Sequence, residues 1–291
     1  MPLPKLQRTN QLKATYGTVL SYGPAGAGKT SSILSLLKAG INPFVIGAEV
    51  GETCGFLSLS AHDVAFVKVE DHATIIDVLR AAKRKPGKFE YEQQEFGAVV
   101  LDSVTAWGEF PLERFMEMKQ WDDLQTPASG KDPRGAYGYL AEKGRQLYKE
   151  LFECPAHVYI IAREGLYGGG SEALFAAPEL PGQKLPRELP GWPDATVRLR
   201  VVNGKHRMIT RGEGGSPARV RQPIGVDLPQ LPLQCMPDIG ALIKYLCGDR
   251  AMLDVLTPPK TDAEKAEEAR KAAEKAAKAK VVAQATPATK S

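Results

Sequence analysis

A glycine-rich octapeptide near the start of the chain constrains the fold more than any other segment. Residues 23–30 read Gly-Pro-Ala-Gly-Ala-Gly-Lys-Thr and fit the pattern G-x-x-x-x-G-K-[ST]. Glycines allow the backbone to curl until successive N–H groups point inward at an anion, and the lysine can then reach phosphate groups. Such a loop requires a strand before it and a helix after it, because the helix N-terminus favours negative charge.

The flanking residues are typical of both elements. Residues 18–22 read as a short strand, and residues 31–38 place apolar side chains at helical spacing before Gly40, the expected C-cap. The alternative, a glycine-rich turn with an incidental lysine, does not require these flanks. We therefore predict a nucleotide-binding loop that consists of Gly23, Pro24, Ala25, Gly26, Ala27, Gly28, Lys29, Thr30 and Ser31.

Beyond the loop, short apolar runs alternate with helical patterns. Strands are predicted at residues 42–48, 64–69, 98–101 and 157–162, and helices at about 71–85, 104–118 and 136–152. This alternation predicts an α/β fold, a mainly parallel sheet flanked by helices, with the ligand at the carboxyl ends of the strands.

The pattern changes after residue 162. Strands at 196–202 and 206–210 around Asn203-Gly204 predict a C-terminal β-hairpin extension, and a short helix is expected at 238–247. Polar or glycine-rich residues at 120–135 and 165–171 predict mobile loops.

Composition divides the chain into three parts. Residues 1–15 form a polar lead-in, residues 16–250 the main domain and residues 251–291 a charged tail rich in Ala, Glu and Lys. One sizeable domain with an appendage is expected from 291 residues, of which 43% are hydrophobic. The tail has no apolar stripe, so we expect it to be flexible: either a solvated, partly helical extension or a segment that a protein partner or nucleic acid binds.

Several classes of protein are disfavoured. The four cysteines form no C-x-x-C pair and the four histidines are scattered, which argues against a zinc site or a disulfide framework. No run is long enough to span a membrane, and the basic start lacks the apolar segment of a signal peptide. A cytoplasmic protein without membrane association is therefore expected. The net charge of +4 permits nucleic-acid binding without demonstrating it.

Two carboxylates follow predicted strands at the expected ligand edge. Asp102 ends an apolar run, where it could hold Mg²⁺ together with Thr30; the alternative is an aspartate that caps the next helix. Glu49 ends the second strand, where it could accept a proton from the water that attacks a γ-phosphate. Glu52 is a rival for that role, and both glutamates could instead be solvated loop residues.

These positions together resemble the RecA-like ATPase family, in particular its phage-encoded members, the RecA-like single-strand-annealing recombinases. Residues 23–30 match the family's Walker A loop, and Ile46-Gly47-Ala48-Glu49 matches the strand that carries its catalytic glutamate. Val99-Val100-Leu101-Asp102-Ser103-Val104 is close to its Walker B segment. Residues 181–190 are similar to a segment of the phage group. The resemblance covers about residues 16–247.

The resemblance implies a RecA-like P-loop fold, ATP and Mg²⁺ as ligands, and Lys29 and Glu49 among the catalytic residues. Family members often assemble as filaments or rings and complete the active site from the neighbouring subunit with basic residues on a hairpin. Lys205 and Arg207 of the segment Gly204-Lys205-His206-Arg207 match that element and would stabilise transition-state charge in trans. The alternative is a basic hairpin turn in water.

The resemblance also implies a polar sensor and two DNA-facing segments. Where the family commonly has a glutamine sensor, this chain has Arg163-Glu164, which leaves two candidates. The segments that would face DNA are about 120–139 and 165–184, unless they are plain solvated loops. Basic groups with aromatic rings suit contacts with phosphates and bases of single-stranded DNA; the predicted residues are Lys131, Arg134, Tyr137, Tyr167 and Lys184.

The expected function is that of a phage-type recombination protein: an ATP-binding and ATP-hydrolysing enzyme, DNA-dependent in its turnover, that acts on single-stranded DNA in the host cytoplasm as a homo-oligomer. One alternative is a helicase, helicase loader or packaging motor on the same core. Another is a nucleotide-gated module that binds a protein partner with little turnover.

Overall fold

The computed structural model describes residues 15–48, 59–122, 124, 133–169, 172–222, 228–259 and 270. The chain divides into two units, Met1–Thr257 and Pro258–Ser291. Of the second unit only residues 258, 259 and 270 are described, so the architecture below is that of the first unit.

Strands form the centre of the first unit. The described residues contain twelve: β1 (Thr18–Gly23), β2 (Pro43–Gly47), β3 (Ala65–Lys68), β4 (Glu90–Tyr91), β5 (Gln94–Glu95), β6 (Ala98–Asp102), β7 (His157–Gly169), β8 (Glu172–Pro178), β9 (Ala195–Val202), β10 (Lys205–Ile209), β11 (Arg219–Val220) and β12 (Gln234–Cys235).

Ten of these described strands belong to one sheet. Its order is β12-β10-β9-β1-β7-β6-β2-β3, with β11 paired to β9 and β8 paired to β7. The six strands from β9 to β3 are mutually parallel, whereas β10, β11, β12 and β8 pair in antiparallel fashion. The predicted mainly parallel sheet with a hairpin extension is thus confirmed.

Helices cover both faces of the sheet. The described residues form eight α-helices, namely α1 (Leu34–Lys38), α2 (His72–Ala82), α3 (Val104–Trp107), α4 (Glu109–Lys119), α5 (Pro133–Phe152), α6 (Lys184–Glu188), α7 (Ile239–Leu246) and α8 (Met252–Leu256), with 3₁₀ turns at Thr30–Ile33 and Leu189–Gly191.

Two apolar cores lie on opposite faces of the sheet. One packs α2 to α6 against it and includes Trp107, and the other packs α1, α7 and α8 and includes Leu242. Strand β6 contributes to both, since Val99 belongs to the first core and Val100 to the second. Burial on two faces explains why this strand is a continuous apolar run rather than an alternating one.

Three sequence-based expectations are corrected by the fold. Strand β7 continues to Gly169 and forms a hairpin with β8, where the sequence predicted a flexible loop at 165–171. Helix α5 begins at Pro133, inside the loop predicted at 120–135, because proline is well tolerated in the first turn of a helix. Helix α8 lies in the first unit with Leu256 buried, although residues 251–257 were assigned to the tail.

None of the helices in the described parts of the chain is both long enough and apolar enough to cross a membrane.

The contact between α1 and α7 depends on a glycine. The backbone N–H of Gly240 donates to Ser35 Oγ at 3.1 Å, and a Cβ at Gly240 would lie only 2.2 Å from the carbonyl oxygen of Ser35. By contrast, Gly138 in α5 has open space, with nothing within 4 Å of its Cβ position.

We predict that Gly240→Ala lowers the free energy of unfolding by about 1–3 kcal/mol, because overpacking outweighs the gain in helix propensity. The matched variant Gly138→Ala is expected to raise it by up to about 1 kcal/mol, since alanine is the better helix former. Urea unfolding of both variants measures the difference. Similar effects at the two positions would contradict the close packing at Gly240.

Candidate nucleotide-binding site

The glycine-rich loop connects β1 to the 3₁₀ turn that precedes α1. Gly26 and Gly28 have φ angles of +74° and +86°, which glycine adopts without the strain that a side chain would cause. Lys29 Nζ donates to the carbonyl oxygens of Gly23 and Pro24, each at 2.8 Å. The lysine therefore lies across the curled loop, where its charge faces the space that the loop encloses.

A hydroxyl and a carboxylate meet at the end of this loop. Thr30 Oγ1 donates to Asp102 Oδ2 at 2.8 Å, and Asp102 is buried at the end of β6. The cap of α3 is Ser103, whose Oγ accepts from the backbone N–H of Ala106 at 3.3 Å. Asp102 is therefore not the helix cap that the sequence left open as an alternative.

This pair suits Mg²⁺ by its donor chemistry. Mg²⁺ prefers oxygen ligands, usually keeps several waters, and is held by one or two carboxylates together with substrate phosphates. Thr30 and Asp102 offer two protein oxygens 2.8 Å apart. Among the described residues there is no group of three or more His, Cys, Asp or Glu that could hold a metal ion.

A cavity of about 760 Å³ opens beside the loop, a volume within the range of small-molecule sites. Residues 23–32 form one side. The other elements that line it contribute Asp102, Arg163, Glu164, Glu179, His206 and Pro237. It lies at the carboxyl ends of the parallel strands, as the sequence predicted.

A buried tyrosine supports the loop from below. Tyr159 on β7 shares hydrogen bonds with Ser21 Oγ at 2.8 Å and Ser32 Oγ at 2.6 Å. Its hydroxyl also donates to the carbonyl oxygen of Lys29 at 3.4 Å. Burial raises the pKa of Tyr159, so the hydroxyl stays protonated. This network ties β1, β7 and the helical end of the loop together.

The two sensor candidates differ in their surroundings. Glu164 accepts from Arg198 Nε and Nη2, each at 2.7 Å, and both side chains are largely buried. The hydrogen bond with Glu164 raises the pKa of Arg198. Arg163 lines the nucleotide cavity and also a neighbouring cavity of about 640 Å³. Because the ion pair occupies both oxygens of Glu164, Arg163 is the better placed of the two for a phosphate.

The basic hairpin reaches the site through one residue. Asn203 and Gly204 turn the chain with φ angles of 51° and 71°, as the Asn-Gly signal predicted. His206 lines the cavity, whereas Lys205 and Arg207 are not among its lining residues. The two predicted finger residues thus do not face the nucleotide cavity of their own chain.

Comparison with known proteins identifies the family. The family model described as an AAA domain (AAA_24) matches residues 15–222. The chain belongs to this AAA domain family. A comparison with curated proteins found no match. Among solved structures, a KaiC-like protein, PH0186, from the hyperthermophilic archaeon Pyrococcus horikoshii OT3 is 12% identical, with 76% of this chain and 87% of that chain covered and a TM-score of 0.42.

The AAA domain match and the sheet topology confirm the predicted fold class, a P-loop NTPase with a mainly parallel sheet flanked by helices, and identify an ATPase-type domain. The matched residues include the glycine-rich loop, Asp102 and the basic hairpin. A likeness to phage recombinases in particular is not part of this match.

Three residues with predicted roles lie outside the described residues. They are Glu49 and its rival Glu52, candidates for the base, and Lys131, a predicted DNA contact. The last described residue before Glu49 is Ala48, whose backbone N–H donates to the carbonyl oxygen of Asp102 at 2.9 Å. The chain therefore leaves β2 beside the proposed metal ligand.

The remaining predicted DNA residues have different surroundings. Arg134 and Tyr137 are exposed on the first turns of α5, and the Tyr137 ring packs against Gly182. Lys184 is exposed and pairs with Glu188 at 3.7 Å. Tyr167 is half-buried, and its hydroxyl donates to the carbonyl oxygens of Pro178 and Leu180, each at 3.2 Å. Tyr167 therefore has a structural contact that pins the β7–β8 hairpin to the chain after it.

Sequence reasoning missed Tyr159, His206 and the Glu164–Arg198 pair as parts of the site. All three depend on which strands are neighbours, since β7 lies between β1 and β6 and β9 lies on the other side of β1. The one local signal concerned Tyr159, which lies within an apolar run that was expected to be buried. A buried hydroxyl requires a hydrogen-bond partner, so such a tyrosine indicates a polar contact inside the core.

We predict that Tyr159→Phe lowers the free energy of unfolding by about 1–3 kcal/mol, since it leaves buried hydroxyls of Ser21 and Ser32 with fewer partners. Tyr148→Phe is the matched control. Tyr148 is also buried, but its hydroxyl has no hydrogen-bond partner in the described part of the chain, so its removal is expected to be neutral or stabilising. Urea unfolding compares the two, and equal losses would refute the supporting role of Tyr159.

Proposed function

We propose that this chain is an ATP-hydrolysing protein of phage-type recombination that acts on single-stranded DNA as a homo-oligomeric filament or ring. The observation that supports the ATPase part is the 2.8 Å contact between Thr30 Oγ1 and Asp102 Oδ2 at the end of the glycine-rich loop. Hydroxyl, carboxylate and lysine there face a cavity of nucleotide size.

In the proposed mechanism each group has one task. Backbone N–H groups of the loop and Lys29 bind the phosphates. Thr30 and Asp102 would hold Mg²⁺, which would neutralise phosphate charge. Glu49 accepts a proton from the attacking water. Arg163, at the edge of the cavity, contacts the terminal phosphate and changes position when that phosphate leaves.

The proposal of an oligomer rests on the outward position of two cations. Lys205 is exposed and Arg207 partly exposed. Neither has a carboxylate within ion-pair distance among the described residues, where Arg207 Nη1 donates to the His206 carbonyl oxygen and to Met236 Sδ. Cations without an acidic partner suit the charge that develops on the γ-phosphate of a neighbouring subunit.

The DNA part of the proposal draws on the meeting of two segments. The contact of Tyr137 with Gly182 brings the start of α5 beside the residues before α6, and these are the two segments for which the family resemblance implies DNA contact. Arg134 and Lys184 lie next to this contact in the chain and are exposed. Phosphate contact by such cations and stacking on Tyr137 would bind single strands with little sequence preference.

A nucleotide-gated protein-binding module is a second candidate. The observation that favours it is the exposure of two leucines on the β7–β8 hairpin, Leu166 at 72% and Leu174 at 64%. Tyr167 of that hairpin and Arg163 both line the second cavity. A nucleotide that moves Arg163 would therefore change the shape of this cavity beside the hairpin.

We predict that single-stranded DNA stimulates ATP turnover, and that the logarithm of DNA affinity falls linearly with the logarithm of salt concentration because bound counterions are released. Lys29→Ala is expected to abolish nucleotide binding. Glu49→Gln should keep nucleotide binding and lose turnover, whereas Glu52→Gln should keep both. The measurements are steady-state ATPase rates without DNA, with single strands and with duplex, and titration of labelled DNA.

Each arm of that experiment has a contrary result. An ATPase rate that is the same with and without DNA, together with a stable protein complex that forms only with ATP, would favour the binding module. Loss of turnover in Glu52→Gln but not in Glu49→Gln would reassign the base. Unchanged ATP affinity in Lys29→Ala would remove the proposal as a whole.

Complementation tests the shared active site. Lys205→Ala and Lys29→Ala are each expected to lose turnover, but a mixture should recover part of it, since some interfaces then combine an intact loop with an intact hairpin. Arg221→Ala is the matched control. It removes an exposed basic side chain next to β11 and should keep turnover by itself. A mixture as inactive as its components would place Lys205 outside the active site.

A further inference from the structure

One side chain of the basic hairpin contacts the phosphate-binding loop of its own subunit. His206 Nδ1 lies 3.1 Å from the carbonyl oxygen of Ala27, and because a carbonyl oxygen only accepts, Nδ1 is the donor. The imidazole also packs on the next residue, since a Cβ at Gly28 would lie 3.4 Å from Nδ1.

This contact fixes the orientation of one peptide group. The peptide bond is planar and trans, so its C=O and N–H point in opposite directions. When His206 holds the Ala27 carbonyl, the N–H of Gly28, which belongs to the same peptide, points away from His206. Gly28 has a φ of +86°, and glycine can populate both signs of φ. A hydrogen bond to this peptide therefore removes a freedom that the loop sequence itself leaves open.

The same residue belongs to the element that carries the two finger residues. Successive side chains of a strand point to opposite faces, so His206 on β10 faces its own loop while Lys205 and Arg207 point to the other face. Val201 is the cross-strand partner of His206 and is 51% exposed. One strand thus contacts the loop of its own subunit with one face and presents cations with the other.

We propose that His206 is a positioning residue that orients the Ala27–Gly28 peptide for phosphate binding and couples a subunit's own nucleotide to the hairpin that bears Lys205 and Arg207. The coupling rests on the proposed function, whereas the effect on nucleotide affinity requires only a loop that binds phosphate. His206 lines the cavity, and in this role it acts through the orientation of the loop peptide.

Three variants of the full-length chain test the positioning. His206→Phe keeps a ring against Gly28 but removes the donor, and His206→Asn restores an N–H donor close to the place of Nδ1. Val201→Ala changes the cross-strand neighbour of His206 and leaves the hydrogen bond to Ala27 intact. The probe is the fluorescent nucleotide mant-ATP, with ATP and ADP as competitors.

We expect His206→Phe to bind ATP and ADP about three- to tenfold more weakly, the range that corresponds to the net loss of one hydrogen bond. His206→Asn and Val201→Ala should stay within about twofold of the wild type. The positioning role would be overturned if His206→Phe bound nucleotide as tightly as the wild type. It would also be overturned if His206→Asn bound nucleotide as weakly as His206→Phe. If Lys29→Ala loses binding while His206→Phe does not, this inference alone fails and the proposed function stands.

Hydrogen exchange tests the coupling. At saturating concentrations of a non-hydrolysable ATP analogue, exchange at the backbone amides of residues 203–207 should slow in the wild type and in His206→Asn, and should change much less in His206→Phe. A role limited to folding would not produce a difference that depends on nucleotide. Equal slowing in all three proteins would refute the coupling.

Discussion

The hydrogen bond from Thr30 to Asp102 joins residues that are 72 positions apart in the chain, and the rest of the site depends on what makes it possible. Strands β1, β7 and β6 are parallel neighbours, with Gly23 opposite Arg163 and Asp102 opposite Ile161. Strands β1 and β6 therefore end at one edge of the sheet, β7 passes between them there and continues to Gly169, and the residues at this edge surround one cavity. A register slip in this part of the sheet would separate the hydroxyl from the carboxylate.

Two contacts of different strength hold the loop in shape. Tyr159 is buried below it and bonds to two serines, so the loss of its hydroxyl affects the folded state itself. His206 is exposed and contacts the loop at the wall of the cavity, where water can replace part of a lost hydrogen bond. Burial therefore separates a residue that stabilises the fold from one that adjusts the loop for its ligand.

Local signals in the sequence were sufficient for most of the secondary structure. The loop, the buried run of β6, the Asn-Gly hairpin and the helix behind Asp238 each follow from spacing or turn chemistry within a few residues. The β7–β8 hairpin did not, because Gly165-Leu166-Tyr167-Gly168 has a loop-like composition and becomes a strand through pairing with residues 172–178. Val201, near the end of β9, is exposed because the hairpin tip extends beyond the core.

The sequence by itself determined the chemistry of this protein: a phosphate-binding loop with Lys29 and Thr30, and an aspartate at the end of a buried strand. These features are encoded in short contiguous segments, where backbone geometry and residue type suffice. Only the tertiary structure decided which groups meet, namely Tyr159 under the loop, Glu164 bound to Arg198, and His206 beside Ala27. Those contacts depend on strand order, and strand order arises from the packing of two cores against both faces of the sheet rather than from any local pattern.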